Sequence, residues 1–149
     1  MNEEKKSPAQ RLKELEDRQF AKEQAIAAER EEQYATDREA IDALSEKLGV
    51  KVHYSKQVRQ FVRGVPVIVG VRAPDAAEYK RLFSKMNRTN SNGDAKVAAH
   101  TELAQSCWVY PADGPTREAM LEANSGLLAS VGNFANKLAE VEISEEGKD

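Results

Sequence analysis

The stretch that decides the fold is VPVIVGVRAPDAAEYKRLFSKM, residues 65–86, in which two periodicities meet. Up to Val71, valines alternate with other residues, and a period of two is typical of a β-strand. Pro66 cannot donate to a strand ladder, which places it at the start or edge of that strand. After Pro74 the apolar positions recur at helical spacing. The segment therefore predicts a strand followed directly by a helix.

That helix carries its own start signal. Asp75 is positioned to cap the first turn, and Glu78, three residues later, is positioned to reach back to the cap. The apolar residues that follow share one stripe, formed by Tyr79, Leu82, Phe83 and Met86. Upstream, residues 50–55 alternate in the same way as residues 65–71, so the two segments predict a small antiparallel hairpin or meander.

Residues 8–48 predict one long helix. No Pro or Gly occurs between Pro8 and Gly49, and strong helix formers dominate the segment. Apolar residues recur every seven positions, at Phe20, Ala27, Tyr34, Ile41 and Leu48, but most companion positions are charged. We expect a solvated helix whose last two turns dock on the core. Tyr34 and Ile41 are candidate partner-binding residues, and homo-oligomerisation through this helix as a coiled coil stays open.

The C-terminal part predicts several more helices. One starts near Asp94 and runs to about Trp108, and another starts near Thr116 and pauses at residues 124–126. The last helix carries a heptad-like seam at Leu127, Val131, Phe134 and Leu138. This seam is read in two ways, as the core face of the helix or as a surface that binds a partner helix.

Together these elements predict an α+β fold with three regions. A long charged helix at 1–48 precedes a compact domain at 49–141, in which the hairpin or meander is followed by a bundle of three to four helices. Residues 142–149 form an acidic tail that is too polar to pack, and we expect it to be disordered.

Charge is distributed unevenly along the chain. Residues 1–48 hold 9 Lys/Arg and 13 Asp/Glu, residues 49–88 hold 9 and 2, and residues 89–149 hold 4 and 10. The basic middle supplies six candidate anion contacts, Lys56, Arg59, Arg63, Arg81, Lys85 and Arg88. Such a segment is compatible with nucleic-acid binding. The acidic pI of 5.6 and the acidic flanks favour pairing within or between chains instead.

The sequence offers little for catalysis. Cys107 is the only cysteine, and His100 lies seven residues before it on the predicted helix, about 10.5 Å along the axis and beyond hydrogen-bonding distance. His53 and His100 form no metal-ligand pattern, and no phosphate-binding or serine-elbow motif occurs. We therefore expect a buried Cys107, no enzymatic activity, and no metal or cofactor.

Localisation follows from what the termini and apolar runs lack. The first ten residues, MNEEKKSPAQ, contain no apolar leader, and no apolar run reaches the length of a membrane span. The sequence predicts a cytoplasmic protein that does not contact a membrane.

Over roughly residues 44–140, the order of these features resembles the small tail-assembly-chaperone-like proteins of tailed phages and prophages. The most specific parts are the Arg72-Ala73-Pro74-Asp75 turn with Tyr79, and the Cys107-Trp108 pair with the break at 125–127. The segments LSEKLG, VKVHYS, ELAQSCWVYPADG and TREAMLEANSGLLASV occur in the expected order. The long N-terminal helix lies outside the resemblance.

The resemblance implies a non-enzymatic assembly factor in the bacterial host cytoplasm. Its partners would be the tape-measure protein, the tail-tube protein or both, during virion morphogenesis. Two alternatives stay open: a nucleic-acid-binding accessory protein that uses residues 51–88, and a minor structural subunit of the virion.

Overall fold

The computed structural model describes residues 5–55, 58–86 and 93–146. It has the predicted α+β architecture, with a long N-terminal helix, a small antiparallel sheet and several C-terminal helices. In chain order the elements are α1 (Pro8–Leu48), β1 (Val52–Ser55), β2 (Val69–Arg72), α2 (Ala76–Met86), α3 (Gly93–Cys107), β3 (Trp108–Tyr110), α4 (Gly114–Ala123) and α5 (Leu127–Glu146).

The chain forms two compact units, Met1–Glu32 and Gln33–Asp149. The division falls inside α1, whereas the sequence placed it after residue 48. The reason is that the last part of α1 joins a core: Ile41 is 2% exposed and clusters with Val52 and Val67. Burial of these apolar side chains makes the end of α1 part of the second unit.

Strand β2 is the centre of the sheet. It pairs antiparallel with β1 on one side, where Val52 lies opposite Arg72, and with β3 on the other, where Gly70 lies opposite Tyr110. Val69 and Val71 are fully buried. The pairing of β1 with β2 confirms the antiparallel arrangement that the alternating valines predicted.

The central strand is shorter than its alternating sequence suggests. The pattern begins at Val65, but β2 begins at Val69. Pro66 has no N–H, and the N–H of Val67 donates to the Asp37 carboxylate at 2.8 Å instead of to a neighbouring strand. A side chain of α1 therefore replaces the ladder over this segment.

Strand β3 is absent from the sequence-based prediction, which continued a helix through about Trp108. In the structure α3 ends at Cys107, and residues 108–110 pair with β2. Aromatic and β-branched residues suit a strand, and the Trp108 indole N–H donates to the Tyr110 carbonyl at 2.6 Å. The Tyr110–Pro111 peptide bond is cis.

The capping box of α2 is confirmed. The Glu78 backbone N–H donates to Asp75 Oδ1 at 2.8 Å, and the Asp75 N–H donates to Glu78 Oε1 at 3.0 Å. Helix α3 starts at Gly93, one residue before Asp94, near which the sequence predicted its start. Residues 87–92, between α2 and α3, lie outside the described residues.

Helices α4 and α5 flank the predicted pause. Asp113 caps α4 by accepting from the Thr116 N–H at 2.9 Å, so the helix begins at Gly114 and not at Thr116. The break at 124–126 includes Gly126 with φ 82°, a left-handed conformation that suits glycine. Helix α5 continues to Glu146, five residues into the segment predicted to be disordered; residues 147–149 lie outside the described residues.

Candidate interaction surface

The predicted partner-binding seam of α5 is a core face. Leu127 and Val131 are 2% and 0% exposed, and Phe134 and Leu138 pack against the same cluster. That cluster also contains Leu103 and Cys107 of α3 and Val71 of β2, with Met120 of α4. The heptad-like spacing therefore serves contacts within the chain. The burial of Leu127 and Val131 favours the core interpretation of this seam over the partner-binding one.

The two candidate partner residues on α1 have different environments. Ile41 is buried in the second cluster and offers no surface. Tyr34 is half-buried and packs edge-on against Tyr54 of β1, with ring centroids 6.5 Å apart. The Arg38 guanidinium lies 3.9 Å from the centre of the Tyr54 ring. Tyr34 thus belongs to an aromatic–cation cluster that holds α1 on β1.

The basic candidates that the structure describes divide between two regions. Lys56 and Arg88 lie outside the described residues. Arg59 and Arg63 are exposed in the segment between β1 and β2, and Arg59 lines a surface pocket of about 280 Å³ together with the α4–α5 break. Arg81 and Lys85 instead line a groove between α2 and α3.

Hydrogen bonds from its backbone to Asn124 hold the segment that carries Arg59 in place. This buried amide accepts from the Arg59 and Gln60 backbone N–H groups, each at 2.9 Å, and donates to the Met120 carbonyl at 3.2 Å. One side chain at the α4–α5 break therefore satisfies two backbone donors of a loop about 65 residues away in sequence.

Arg72 joins three elements at the end of β2. Its guanidinium forms a bidentate pair with Glu78 of α2, at 2.7 and 3.0 Å, and donates to the Ser106 carbonyl of α3 at 2.8 Å. The hydrogen bond from Arg72 holds the pKa of Glu78 below its usual value, and the same bond raises the pKa of Arg72. The turn at 72–75 is thus a structural joint that orients α2.

Asp37 is the buried acid of the second unit. One carboxylate oxygen accepts from the Tyr110 hydroxyl at 2.6 Å and from the Gln33 amide at 2.9 Å, and the other accepts from the Val67 N–H. The residue is 0% exposed. These three hydrogen bonds make the carboxylate a clamp between α1, the approach to β2, and β3.

Cys107 is confirmed as a core residue. It is 0% exposed, and burial raises the pKa of its thiol to about 12. His100, the histidine nearest in sequence, has its Nδ1 2.8 Å from the Lys96 carbonyl of its own helix. Over residues 5–55, 58–86 and 93–146, no group of three or more His, Cys, Asp or Glu could hold a metal ion. The arrangement around Cys107 supports packing and not nucleophilic chemistry.

Helix α2 presents an aromatic face that the sequence assigned to its apolar stripe. Leu82 is 4% exposed, but Phe83 is 58% exposed and stacks on half-buried Tyr79, with centroids 6.4 Å apart and an angle of 29°. Lys80 and Arg81 are exposed beside them. We call Tyr79, Lys80, Arg81 and Phe83 the α2 face.

A helical wheel leaves the exposure of Phe83 open. Adjacent residues are about 100° apart on a helix, so Leu82 and Phe83 lie at opposite edges of the apolar stripe, and the docking of α3 decides which one is covered. In the structure Leu82 lies in the core and Phe83 faces solvent. Aromatic side chains and Arg are enriched at binding interfaces, where they carry much of the energy.

Comparisons with known proteins bring no relative: no protein-family model, no curated protein and no solved structure matches the chain. Within the described ranges, none of the helices has both the length and the apolar character to cross a membrane.

Proposed function

We propose that the protein is a phage or prophage tail assembly chaperone, a non-enzymatic factor that binds the tape-measure protein, the tail-tube protein or both in the host cytoplasm. The resemblance over residues 44–140 motivates the proposal. Its two most specific stretches have structural roles: Arg72 and Asp75 position α2, and Cys107 and Trp108 lie in the core.

The observation that carries the proposal is the exposure of Phe83 on the α2 face. Full burial of such a side chain contributes about 1.5–3 kcal/mol, and a partner that covers the exposed 58% of Phe83 would gain the corresponding part of it. Phe83 is rigidly supported by the Tyr79 stack, so little side-chain entropy is lost on binding. Lys80 and Arg81 add positive charge, and the partner segment is therefore expected to be apolar and acidic.

Two depressions border this face. The cavity lined by Arg81, Lys85 and Glu102 holds about 20 Å³, roughly the volume of one water. A shallow depression of about 500 Å³ is lined by Lys80, Arg81 and Ser84, all on α2. A surface on a single helix suits a partner segment better than a small molecule, whose sites are concave and bury most of the ligand.

Nucleic-acid binding has weaker support. Such binding needs cations that follow one continuous path along the phosphates. Arg59 and Arg81 line separate pockets, and Lys85 forms a close ion pair with Glu102. The described basic residues of this segment are therefore close in sequence, but they line separate pockets instead of one path.

The test is co-expression of the chain with a tape-measure protein and a tail-tube protein, followed by affinity capture and size-exclusion chromatography. We expect a stable complex with one of them. Phe83→Ala should weaken capture by on the order of tenfold or more, because it removes the exposed anchor.

The matched control is Val141→Ala, since Val141 is 55% exposed on α5, far along the chain from the α2 face. It should leave capture unchanged. Separate elution of the chain from both tail proteins would count against the chaperone proposal. Equal capture by wild type and Phe83→Ala would show that the partner binds at a surface other than the α2 face.

A further inference from the structure

The first unit exposes large apolar side chains on a helix. Leu12, Leu15 and Ile26 are 60%, 58% and 49% exposed. At about 100° per residue, these three lie within about 60° of one another around the helix axis. They form what we call the strip. Phe20 is 61% exposed but lies about 80° or more from each of them.

The same unit is strongly polarised in charge. Residues 5–13 contain four basic residues and no acidic one, a net charge of +4, and Glu3 and Glu4 before them lower the net charge of residues 1–13 to +2. Residues 14–32 contain seven acidic and three basic residues, a net charge of −4. The acidic residues include Glu29, Glu31 and Glu32 at the far end. The unit is therefore self-complementary end to end.

We propose that two copies of the chain pair through residues 5–32 in antiparallel orientation. This arrangement covers the strip of each copy and places the basic end of one helix against the acidic end of the other. A parallel pair would place +4 beside +4 and −4 beside −4. The charge pattern thus selects both the occupant, a second copy, and its orientation.

Polar side chains interrupt the strip midway. Gln19 and Glu23 lie between Leu15 and Ile26 on the same side of the helix, and the Gln19 amide donates to the Glu23 carboxylate at 3.4 Å. Polar residues in a helix seam lower stability but fix register. We therefore expect a reversible dimer that forms with rising concentration and weakens as salt screens the charges.

The inference goes beyond the assembly-factor proposal and does not rest on it. It concerns the purified full-length chain alone, whereas the assembly-factor proposal concerns heterologous tail proteins. Each can fail while the other holds.

The test is a charge-swap experiment read by sedimentation velocity from about 1 µM to about 1 mM, the range in which weak dimers form. Variant N carries Lys6→Glu, Arg11→Glu and Lys13→Glu. Variant C carries Glu29→Lys, Glu31→Lys and Glu32→Lys. In an antiparallel pair, each variant alone places like charges at both ends, so its dissociation constant should rise by on the order of tenfold or more.

Recombining the variants should restore association. A mixture of variants N and C, and a single chain that carries all six changes, both return opposite charges to each end. A parallel dimer predicts otherwise: variants N and C alone would associate as well as wild type, because like charges already face each other in it.

The strip is tested by Leu15→Ser with Ile26→Ser, which should weaken the dimer by on the order of 100-fold through lost apolar burial. The matched control is Phe20→Ser, which removes an exposed apolar side chain off the strip and should leave association unchanged. Circular dichroism is the control that each variant keeps its helical content.

Two results would overturn the inference. A wild-type chain that stays monomeric up to about 1 mM has no such surface. Association that survives in variants N and C and in the Leu15/Ile26 double variant occurs through another part of the molecule.

Discussion

Asp37 shows how one residue fixes the relation between α1 and the sheet. Its carboxylate accepts hydrogen bonds from Val67, Tyr110 and Gln33. It therefore satisfies a backbone N–H that has no strand partner and also the hydroxyl of a tyrosine. A buried polar group without a partner costs free energy comparable to a lost hydrogen bond. The carboxylate therefore supports three elements that apolar contacts alone would leave with orphaned donors.

We expect Asp37→Ala to lower the free energy of unfolding by about 2–4 kcal/mol, because it strands the buried Val67 N–H and the Tyr110 hydroxyl. Urea unfolding followed by the fluorescence of Trp108, the only tryptophan and 4% exposed, measures the change. Asp42→Ala is the control, since Asp42 is exposed on the same helix. Equal urea midpoints for the two variants would contradict the clamp.

Cys107 gives a prediction about pH. Burial raises the pKa of its thiol from the ordinary 9.0 to about 12. A group whose pKa is raised by folding contributes stability that is complete below the unfolded pKa and is lost as pH climbs through the folded one. We expect this contribution to the stability of the wild type to fall between about pH 9 and pH 12, and Cys107→Ala to lack that component of the decline.

The same burial predicts thiol reactivity. At pH 8 the native chain should react with a thiol reagent far more slowly than the urea-unfolded chain, because the thiolate is both scarce and inaccessible. Equal rates in the two states would mean that the side chain is open to solvent and would reopen its role in chemistry.

At the scale of elements, α3 and α5 meet at a glycine. A Cβ at Gly132 would collide with the backbone carbonyl of His100, and backbone cannot move aside as a flexible side chain can. The absence of a side chain is what lets the two helices approach, so that Leu103 and Val131 share one core.

Gly132→Ala should therefore lower the free energy of unfolding by more than about 3 kcal/mol, which is the upper end of the usual cost of overpacking a core. Gly114→Ala is the matched control, because nothing lies within 4 Å of a Cβ added there. Thermal unfolding of the two variants compares them. A stable Gly132→Ala chain would show that α3 and α5 can separate at little cost.

Local patterns predicted the elements better than the contacts between them. The capping box at Asp75, the glycine break at 126 and the alternation around Val69 each depend on residues close in sequence, and each appears in the structure. Strand β3 was missed because its partner, β2, lies about 40 residues away in sequence. From local sequence alone, Trp108 fits the end of the preceding helix as well as it fits a strand.

The surface was harder to predict than the core for the same reason. The spacing of Leu127 and Val131 fits either a core face or a partner seam, and only the tertiary position of α5 distinguishes the two. Phe83 was assigned to the apolar stripe of α2, since which residues of a stripe face outward depends on where α3 docks.

At the scale of the whole molecule, the two units differ in what stabilises them. The second unit holds both apolar clusters, the sheet and the clamp of Asp37. The first is a single helical stretch with a polarised charge and an exposed strip. A helix without its own packed face gains most of its stability from association.

We therefore expect residues 33–149 to fold without the first unit. Removing residues 1–32 should leave a cooperative thermal transition whose midpoint shifts by only a few degrees, on the order of 1 kcal/mol, because the core clusters stay complete. Helical ellipticity should fall in proportion to the residues removed. Loss of cooperativity would mean that the two units fold as one.

The same truncated chain separates the two interaction surfaces. It should be monomeric at every concentration, because the strip and both charged ends are gone. It should still capture a tail protein through the α2 face, since Tyr79 and Phe83 stack within the second unit. Self-association without residues 1–32 would contradict the antiparallel pairing. Loss of capture in a folded truncated chain would place the partner surface on the first unit.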